Sequence, residues 1–411
     1  MRYMFITVGT GRDRQDIARA ILKSIRNHNP DRVIFFSTEK SKMETIPFIE
    51  EEYKDFEIVI FEDENDIELI KQKCDEVIGR YKQDGNYTIV DYTSGTKAMS
   101  AGIILSAIEN NVDLISYITG KRDETGRVIP GTERFISFYP SQVHSKRLYM
   151  EGVRYFNLRM FETGKNLFET AIQMYEGNDV GEKAKLLIRL CDAYMNWDLF
   201  NHKEAFEILK GLSREELSLL NTLGIKSKVE RHKELLYKLA NEQFSLEKML
   251  DLLKNAERRF LDGRYDDCVA RLYRLIEYIL QFRIAELDLY KKKNNSYDAS
   301  EINLEKLPED LRYKYGRPLG LEASAKLLME IKDKLGTEID RSEELKKILF
   351  ARNYSILAHG FKPIEREKAD KFLNLAKDFI FNLVKKYSEK AVNFDFDNIY
   401  SQLDFPRLNR M

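Results

Sequence analysis

From the first residue to about residue 140, short runs of β-branched, aromatic and aliphatic residues alternate with longer stretches whose apolar positions recur every three to four residues. The runs are RYMFITV, RVIFFST, FEIVIFE, NYTIVDY, VDLISYIT and RFISFYP. Between most of them lie DRQDIARAILKSIRN, NDIELIKQKCDEVIGRYK and TKAMSAGIILSAIEN. Runs that are apolar on both faces suit strands covered from both sides, and their alternation with amphipathic helices predicts a mostly parallel, Rossmann-like α/β sheet over residues 1–142. The last two runs are joined by the turn-rich KRDETGRVIPGT, which predicts a hairpin at the sheet edge.

Past about Val143 the strand pattern disappears and helical periodicity continues to the end, so the C-terminal half reads as all-α. Within 143–244, FNLRMFETGKNLF and YMNWDLFNHKEAF share an aromatic-turn-aromatic pattern, with Phe161 and Phe200 matched by Phe168 and Phe206 on the next helix. A period of about forty residues of this kind predicts a connector of helical hairpins, resembling tetratricopeptide repeats. Residues 245–394 predict a bundle of four or five helices, interrupted by the polar insert YKKKNNSYDASEINLEKLPEDLRYKYGRP, which reads as an exposed loop. The tail, 395–411, is expected to pack on a partner subunit or to lack fixed structure.

Charge narrows the function classes. A third of the chain is charged, 33%, yet 67 basic residues nearly cancel 68 acidic ones. A nucleic acid or nucleotide must therefore be captured by a local constellation rather than by a basic surface. Cys74, Cys191 and Cys268 form no CxxC pair and no metal-ligand spacing with the five histidines, and read as reduced thiols. No apolar run approaches ~18 residues and the N-terminus runs directly into a strand, so the expectation is a cytoplasmic protein without a membrane span.

Two stretches fall at adjacent strand ends, TVGTGR after the first strand and DYTSGTKAMSAG after the fourth. Gly9, Gly11 and Gly95 allow sharp turns that present backbone N–H groups, while Thr10, Thr93, Ser94 and Thr96 supply hydroxyls. Lys97 adds a cation where a helix N-terminus already favours anions. The spacing is neither that of a P-loop nor, with Arg at position 14, that of the dinucleotide fingerprint. One Gly-Thr turn is an ordinary helix cap. Two at strand ends, one with lysine, point to a ligand bearing ribose and phosphate.

Near the C-terminal end stands ARNYSILAHG, residues 351–360. Read as continuous helix, it sets Arg352 and His359 on one face, about 10 Å apart along the axis, too far for one phosphate. Two arrangements resolve this: His359 swings inward because Gly360 ends the helix, or two subunits face each other and share one RNA strand. An arginine forks onto phosphate oxygens, an imidazole exchanges a proton near neutral pH, and an asparagine amide orients either. Arg352, Asn353 and His359 could thus promote attack of an RNA 2′-hydroxyl on its neighbouring phosphodiester, without a metal. The plain alternative is a histidine capping a helix end beside a surface arginine.

TVGTG after strand one with TSGTK after strand four resembles the CARF domain, the CRISPR-associated Rossmann fold that senses cyclic oligoadenylates. RNYSILAHG resembles the R-x6-H form of the HEPN ribonuclease motif, and GRYDDCVARLYRLIEYIL resembles the leading HEPN helix, where Asp266, Asp267 and Glu277 either contact the arginine or stay solvated. The order of domains resembles the CARF–HEPN ancillary ribonucleases of type III CRISPR systems. That resemblance implies a homodimer and a cyclic oligoadenylate activator lined by Gly9, Thr10 and Gly11. Thr93, Ser94, Gly95, Thr96 and Lys97 would hold its ribose and phosphate. A ring of four adenylates is favoured over six, with no cofactor and no metal. It further implies single-stranded RNA as substrate, with Arg352, Asn353 and His359 as the catalytic set. Two rival readings share these residues: a sensor or scaffold without catalysis whose helical half docks a protein, and a HEPN toxin controlled by another nucleotide.

Overall fold

The computed structural model describes residues 1–11, 13–124, 128–129, 131–175, 179–294, 296–315 and 319–409. The chain divides into two compact units, one of residues 1–151 with 167–185, the other of residues 152–166 with 186–411.

Unit one is built on a six-stranded sheet of order β3-β2-β1-β4-β5-β6. Its strands are β1 (Arg2–Val8), β2 (Arg32–Ser37), β3 (Phe56–Ile60), β4 (Tyr87–Asp91), β5 (Leu114–Thr119) and β6 (Arg134–Phe138). All neighbours pair in parallel except β5 and β6, the antiparallel edge expected from the turn-rich linker. Thr125–Arg127 and Pro130 of that linker lie outside the described residues.

Alternation along each strand explains the layering. Phe5, Ile34, Phe36, Val90 and Ile115 point to one face, where the helices Ile67–Gln83 and Lys97–Glu109 bury Ile70, Cys74, Ile78, Met99 and Ile103 against them. Met4, Ile6, Val8, Val33, Phe35 and Ile89 point to the other, covered by Ala18, Ile21, Leu22 and Ile25 of the helix Arg14–His28. The order reverses between β1 and β4, which makes their carboxyl ends the switch point at which sheets of this kind place their ligands.

Unit two is mostly helical, with one correction to the sequence reading. Part of the polar insert, expected as a loop, forms the hairpin β7 (Tyr290–Lys293) and β8 (Ser296–Ile302). Tyr290 and Ile302 are buried, and Tyr290 stacks on Phe244 at 6.0 Å between ring centres. The outer face is held by charge, with Lys291 on Glu301 at 3.0 Å and Lys292 on Asp288 at 2.8 Å. Three apolar anchors are too few to show as alternation in a polar stretch, which is why the pattern read as loop. Asn295 and residues 316–318 of the insert lie outside the described residues.

The tail is the second correction. It folds onto its own chain: the helix Phe396–Gln402 buries Phe396, and Leu403, Phe405 and Leu408 follow it into the core. Phe405 packs on Tyr194, Trp197 and Phe161, and the Arg258 guanidinium lies 4.3 Å from its ring centre. Asn157 and Leu408 exchange two hydrogen bonds of 2.8 Å. Burial pushes the His232 imidazole down to about 3, so it is neutral and carries one proton. Its Nε2 faces the Gln402 carbonyl at 2.8 Å, which can only accept, so Nε2 donates and Nδ1 accepts from the Tyr194 hydroxyl at 2.9 Å. Residues 410–411 of the tail lie outside the described residues.

Truncating Phe405 to alanine removes the ring that fills this space. We expect Phe405→Ala to destabilise the helical unit by about 3–5 kcal/mol. Denaturant unfolding checks this, and a loss below ~1 kcal/mol would show that the tail is only laid on the surface.

Candidate functional site

The candidate residues form two groups, one in each unit. In unit one, the loops after β1 and β4 are bolted together by Ser94, which is buried. Its hydroxyl donates to the Thr7 carbonyl at 2.9 Å and accepts from the Gly9 N–H at 2.9 Å, and its own carbonyl accepts from the Thr7 hydroxyl. A Cβ on Gly9 would sit 2.9 Å from Gly95 backbone, and Gly95 has φ +107°, so both positions need glycine for the loops to meet. Thr45 donates to the Gly9 carbonyl at 3.0 Å from the far side.

The remaining hydroxyls divide by role. Thr96 caps the helix Lys97–Glu109, accepting from Met99 N–H at 3.1 Å while donating to the Glu64 carbonyl at 2.9 Å. Thr93 accepts from Ile118 N–H at 3.0 Å, and its own N–H donates to Asp91 at 2.8 Å. Burial pushes the Asp91 carboxyl above the usual carboxylate range, against the pull of hydrogen bonds from Ser24 and Thr93. Burial likewise lowers His28, whose Nε2 lies 2.8 Å from Ser116. Ser94 and Thr96 are therefore architectural, whereas Gly11 and Lys97 are exposed and Thr10 is half-buried. The first turn of the Lys97 helix contains no acid, so its dipole and the ammonium act on the same side of the charge balance.

In unit two the stretch ARNYSILAHG departs from the continuous-helix reading. The helix Glu343–Asn353 stops at Asn353, and residues 354–360 fold back. His359 N–H donates to the Asn353 carbonyl at 3.1 Å, Gly360 N–H to Ser355 at 3.2 Å, and Lys362 N–H to Tyr354 at 3.2 Å. The spacer is a closed loop, and it returns the His359 backbone to the residue after Arg352 instead of carrying it two turns away. Gly360 makes the closure possible: a Cβ there would lie 2.2 Å from the Tyr354 carbonyl oxygen.

Arg352 is half-buried, while Asn353 and His359 are exposed. The Arg352 Nη1 donates to the Asn353 side-chain carbonyl at 3.2 Å, and its Cζ lies 4.5 Å from the centre of the Tyr273 ring. The acids of the leading helix are bonded to other groups, save one oxygen of Asp266, which is buried and has no hydrogen-bond partner. Asp266 accepts from Ile364 N–H at 3.2 Å, Asp267 pairs with Arg264 at 2.5 Å and Arg271 at 3.3 Å, and Glu277 pairs with Arg274 at 3.2 Å. Tyr273, which the sequence reading passed over, occupies the place offered to them; only its i+4 spacing from Glu277 hinted at a shared face.

An apolar rim surrounds the loop. Phe350, Tyr354, Ile356, Leu357 and Phe361 are all exposed, Phe361 almost entirely, at 92%. The apolar spacer that looked like the inner face of a helix therefore points outward.

A Rossmann-like sheet whose order reverses at β1/β4, followed by a helical unit carrying an Arg-Asn-loop-His motif, has the order of parts of a CARF–HEPN protein. Two family models match the helical part, the Csm6 6H domain at residues 150–256 and the Csm6 HEPN domain at residues 238–382, and the chain belongs to the Csm6 type of CARF–HEPN proteins. Among solved structures it is similar to Enterococcus italicus Csm6 bound to cyclic hexa-2′-fluoro-hexa-dAMP, with a TM-score of 0.59 and 16% identity over 98% of this chain and 99% of that one. At this identity the likeness is one of fold. No curated protein matches the chain. Among the described residues, no helix is long and apolar enough to cross a membrane.

Gly360→Ala must open the return loop. Its expected signature is hydrogen exchange at the His359 amide accelerated by about tenfold or more, with the rest of the bundle still protected. An unchanged His359 amide would mean that the loop closes without the glycine.

Proposed function

We propose that this chain is a ribonuclease of CRISPR antiviral defence that is switched on by a cyclic oligoadenylate. The observation that carries this reading is the return loop, which brings the His359 backbone back to Asn353, next to a guanidinium that forms no ion pair among the described residues. In the reaction, Arg352 binds the scissile phosphate and stabilises charge building on its oxygens. His359 moves a proton between the 2′-hydroxyl or leaving oxygen and solvent, and Asn353 holds the guanidinium in orientation. The 2′-oxygen bonds to phosphorus as the bond to the 5′-oxygen breaks, leaving a 2′,3′-cyclic phosphate and a 5′-hydroxyl. These groups suffice for that transfer without a metal ion.

The exposed apolar rim around the loop is suited to a second copy of the same unit, so that two motifs flank one RNA strand. The activator sits at the β1/β4 switch point, with Lys97 on its phosphate and the Gly9–Gly11 backbone, with Thr10, along its ribose. A four-adenylate ring was the sequence expectation, and the Enterococcus italicus protein, bound to a cyclic hexanucleotide analogue, adds six adenylates as an equal candidate. Activation requires that the ring bind more tightly to the arrangement in which the paired HEPN motifs are competent. The proposed signal and substrate are those of the cytoplasm, which is the compartment this reading assigns to the protein.

Cleavage of a fluorogenic single-stranded RNA in EDTA, with cyclic tri-, tetra- and hexa-adenylate added separately, tests this directly. Wild type is expected to cut with one ring size. Arg352→Ala and His359→Ala should each lower cutting by ~100-fold or more while ring affinity stays nearly constant. Lys97→Ala should raise the ring concentration needed for half-activation by about tenfold, the loss of one charge-assisted contact. Silence with every ring would favour the scaffold reading, and RNA cutting retained in either catalytic variant would remove the site assignment.

A further inference from the structure

The guanidinium of Arg352 is held in an unusual way for a half-buried cation. Among the described residues it forms no ion pair: the acids on the leading helix are bonded to Arg264, Arg271, Arg274 and the Ile364 backbone. Its Nε is buried and has no hydrogen-bond partner. Two contacts hold it instead, the Asn353 amide oxygen at 3.2 Å on Nη1 and the ring of Tyr273, whose centre lies 4.5 Å from Cζ. Tyr273 is on the helix Tyr265–Glu286, and Arg352 ends the helix Glu343–Asn353, so the contact also ties the motif to the leading helix.

We infer that Tyr273 is the positioning residue of the site: its aromatic face fixes the plane of the Arg352 guanidinium without neutralising it, leaving the charge for the scissile phosphate. This inference rests on the catalytic reading of Arg352. The physical reason is competition. A carboxylate would hold the guanidinium more strongly, but through the same N–H groups and the same charge that a phosphate needs. An aromatic quadrupole attracts the cation through its face and leaves the edge N–H groups to other partners. Arginine carries several rotatable bonds, so two orienting contacts lower the entropy lost when phosphate binds. Burial, with the nearby charge of Glu277, raises the pKa of the Tyr273 hydroxyl, so the ring stays neutral. The role assigned is to the ring, not to the hydroxyl.

The test compares Tyr273→Phe and Tyr273→Leu with wild type and Arg352→Ala in ring-activated RNA cleavage, and records the Arg352 Nε–H resonance. Phenylalanine is expected to keep kcat within about twofold. Leucine should lower kcat about tenfold with ring half-activation unchanged. In wild type, the ring current of Tyr273 should displace the Arg352 Nε–H signal from its solvent-exposed position, and leucine should abolish that displacement while phenylalanine keeps it. A Tyr273→Leu enzyme as fast as wild type while Arg352→Ala is dead overturns the assignment of Tyr273 alone. Equal losses with phenylalanine and leucine assign the effect to the hydroxyl and overturn it as well. Arg352→Ala that still cuts overturns both this inference and the catalytic reading beneath it. An undisplaced Arg352 signal in wild type overturns the stacking itself, independently of whether any variant folds.

Discussion

The hydrogen bond from the His359 amide to the Asn353 carbonyl decides whether the C-terminal motif can act as one site. On a continuous helix, arginine and histidine would stand two turns apart and serve different phosphates. Closure of the loop demands a residue without a side chain at 360, where the chain passes directly over the Tyr354 backbone. It also places the spacer's apolar side chains outside, where Ile356, Leu357 and Phe361 make an apolar rim. A single backbone constraint thus fixes the return of the His359 backbone to Asn353 and the character of the surrounding surface together.

The two units solve their local problems in different currencies. The β1 and β4 loops are held by glycines and by one buried hydroxyl, Ser94, which bonds both loops. That economy leaves Lys97 and the Gly9–Gly11 turn unobstructed at the switch point. In the helical unit the equivalent anchoring is aromatic. Tyr194, Trp197, Phe161 and Phe405 surround one another, and His232, kept neutral by burial, links the Tyr194 hydroxyl to the tail. The tail is therefore part of the core that supports the bundle, and not a free extension.

Much of this was legible in the chain because strands of a parallel sheet are apolar on both faces. All six runs became strands, and the hairpin edge followed from the turn residues between β5 and β6. Three features were not legible, each for a definite reason. The β7–β8 hairpin rests on only Tyr290, Tyr297 and Ile302, with charge pairs supplying the rest, so no alternation emerged. The spacer after Arg352 has the composition of a helix, and the stop at Asn353 depends on a hydrogen bond from six residues ahead, which no local propensity encodes. Tyr273 belongs to a different helix from the motif it supports, so only three dimensions could bring it to Arg352. Among the residues proposed for the ligand, the sequence could not separate Ser94 and Thr96, whose hydroxyls are spent on the fold, from Lys97, which is exposed.

In the proposed function, a ring bound at the sheet drives attack by the RNA's own 2′-hydroxyl at the Arg352–His359 loop. The most direct measurement is single-turnover cleavage, under saturating ring and in EDTA, of an RNA with one susceptible linkage and of the same strand carrying a 2′-deoxy sugar at that linkage. Cleavage of the first strand to a 2′,3′-cyclic phosphate, with the second left intact, is the predicted result. Cutting of the deoxy linkage at a comparable rate would contradict it, because the nucleophile would then have to be water.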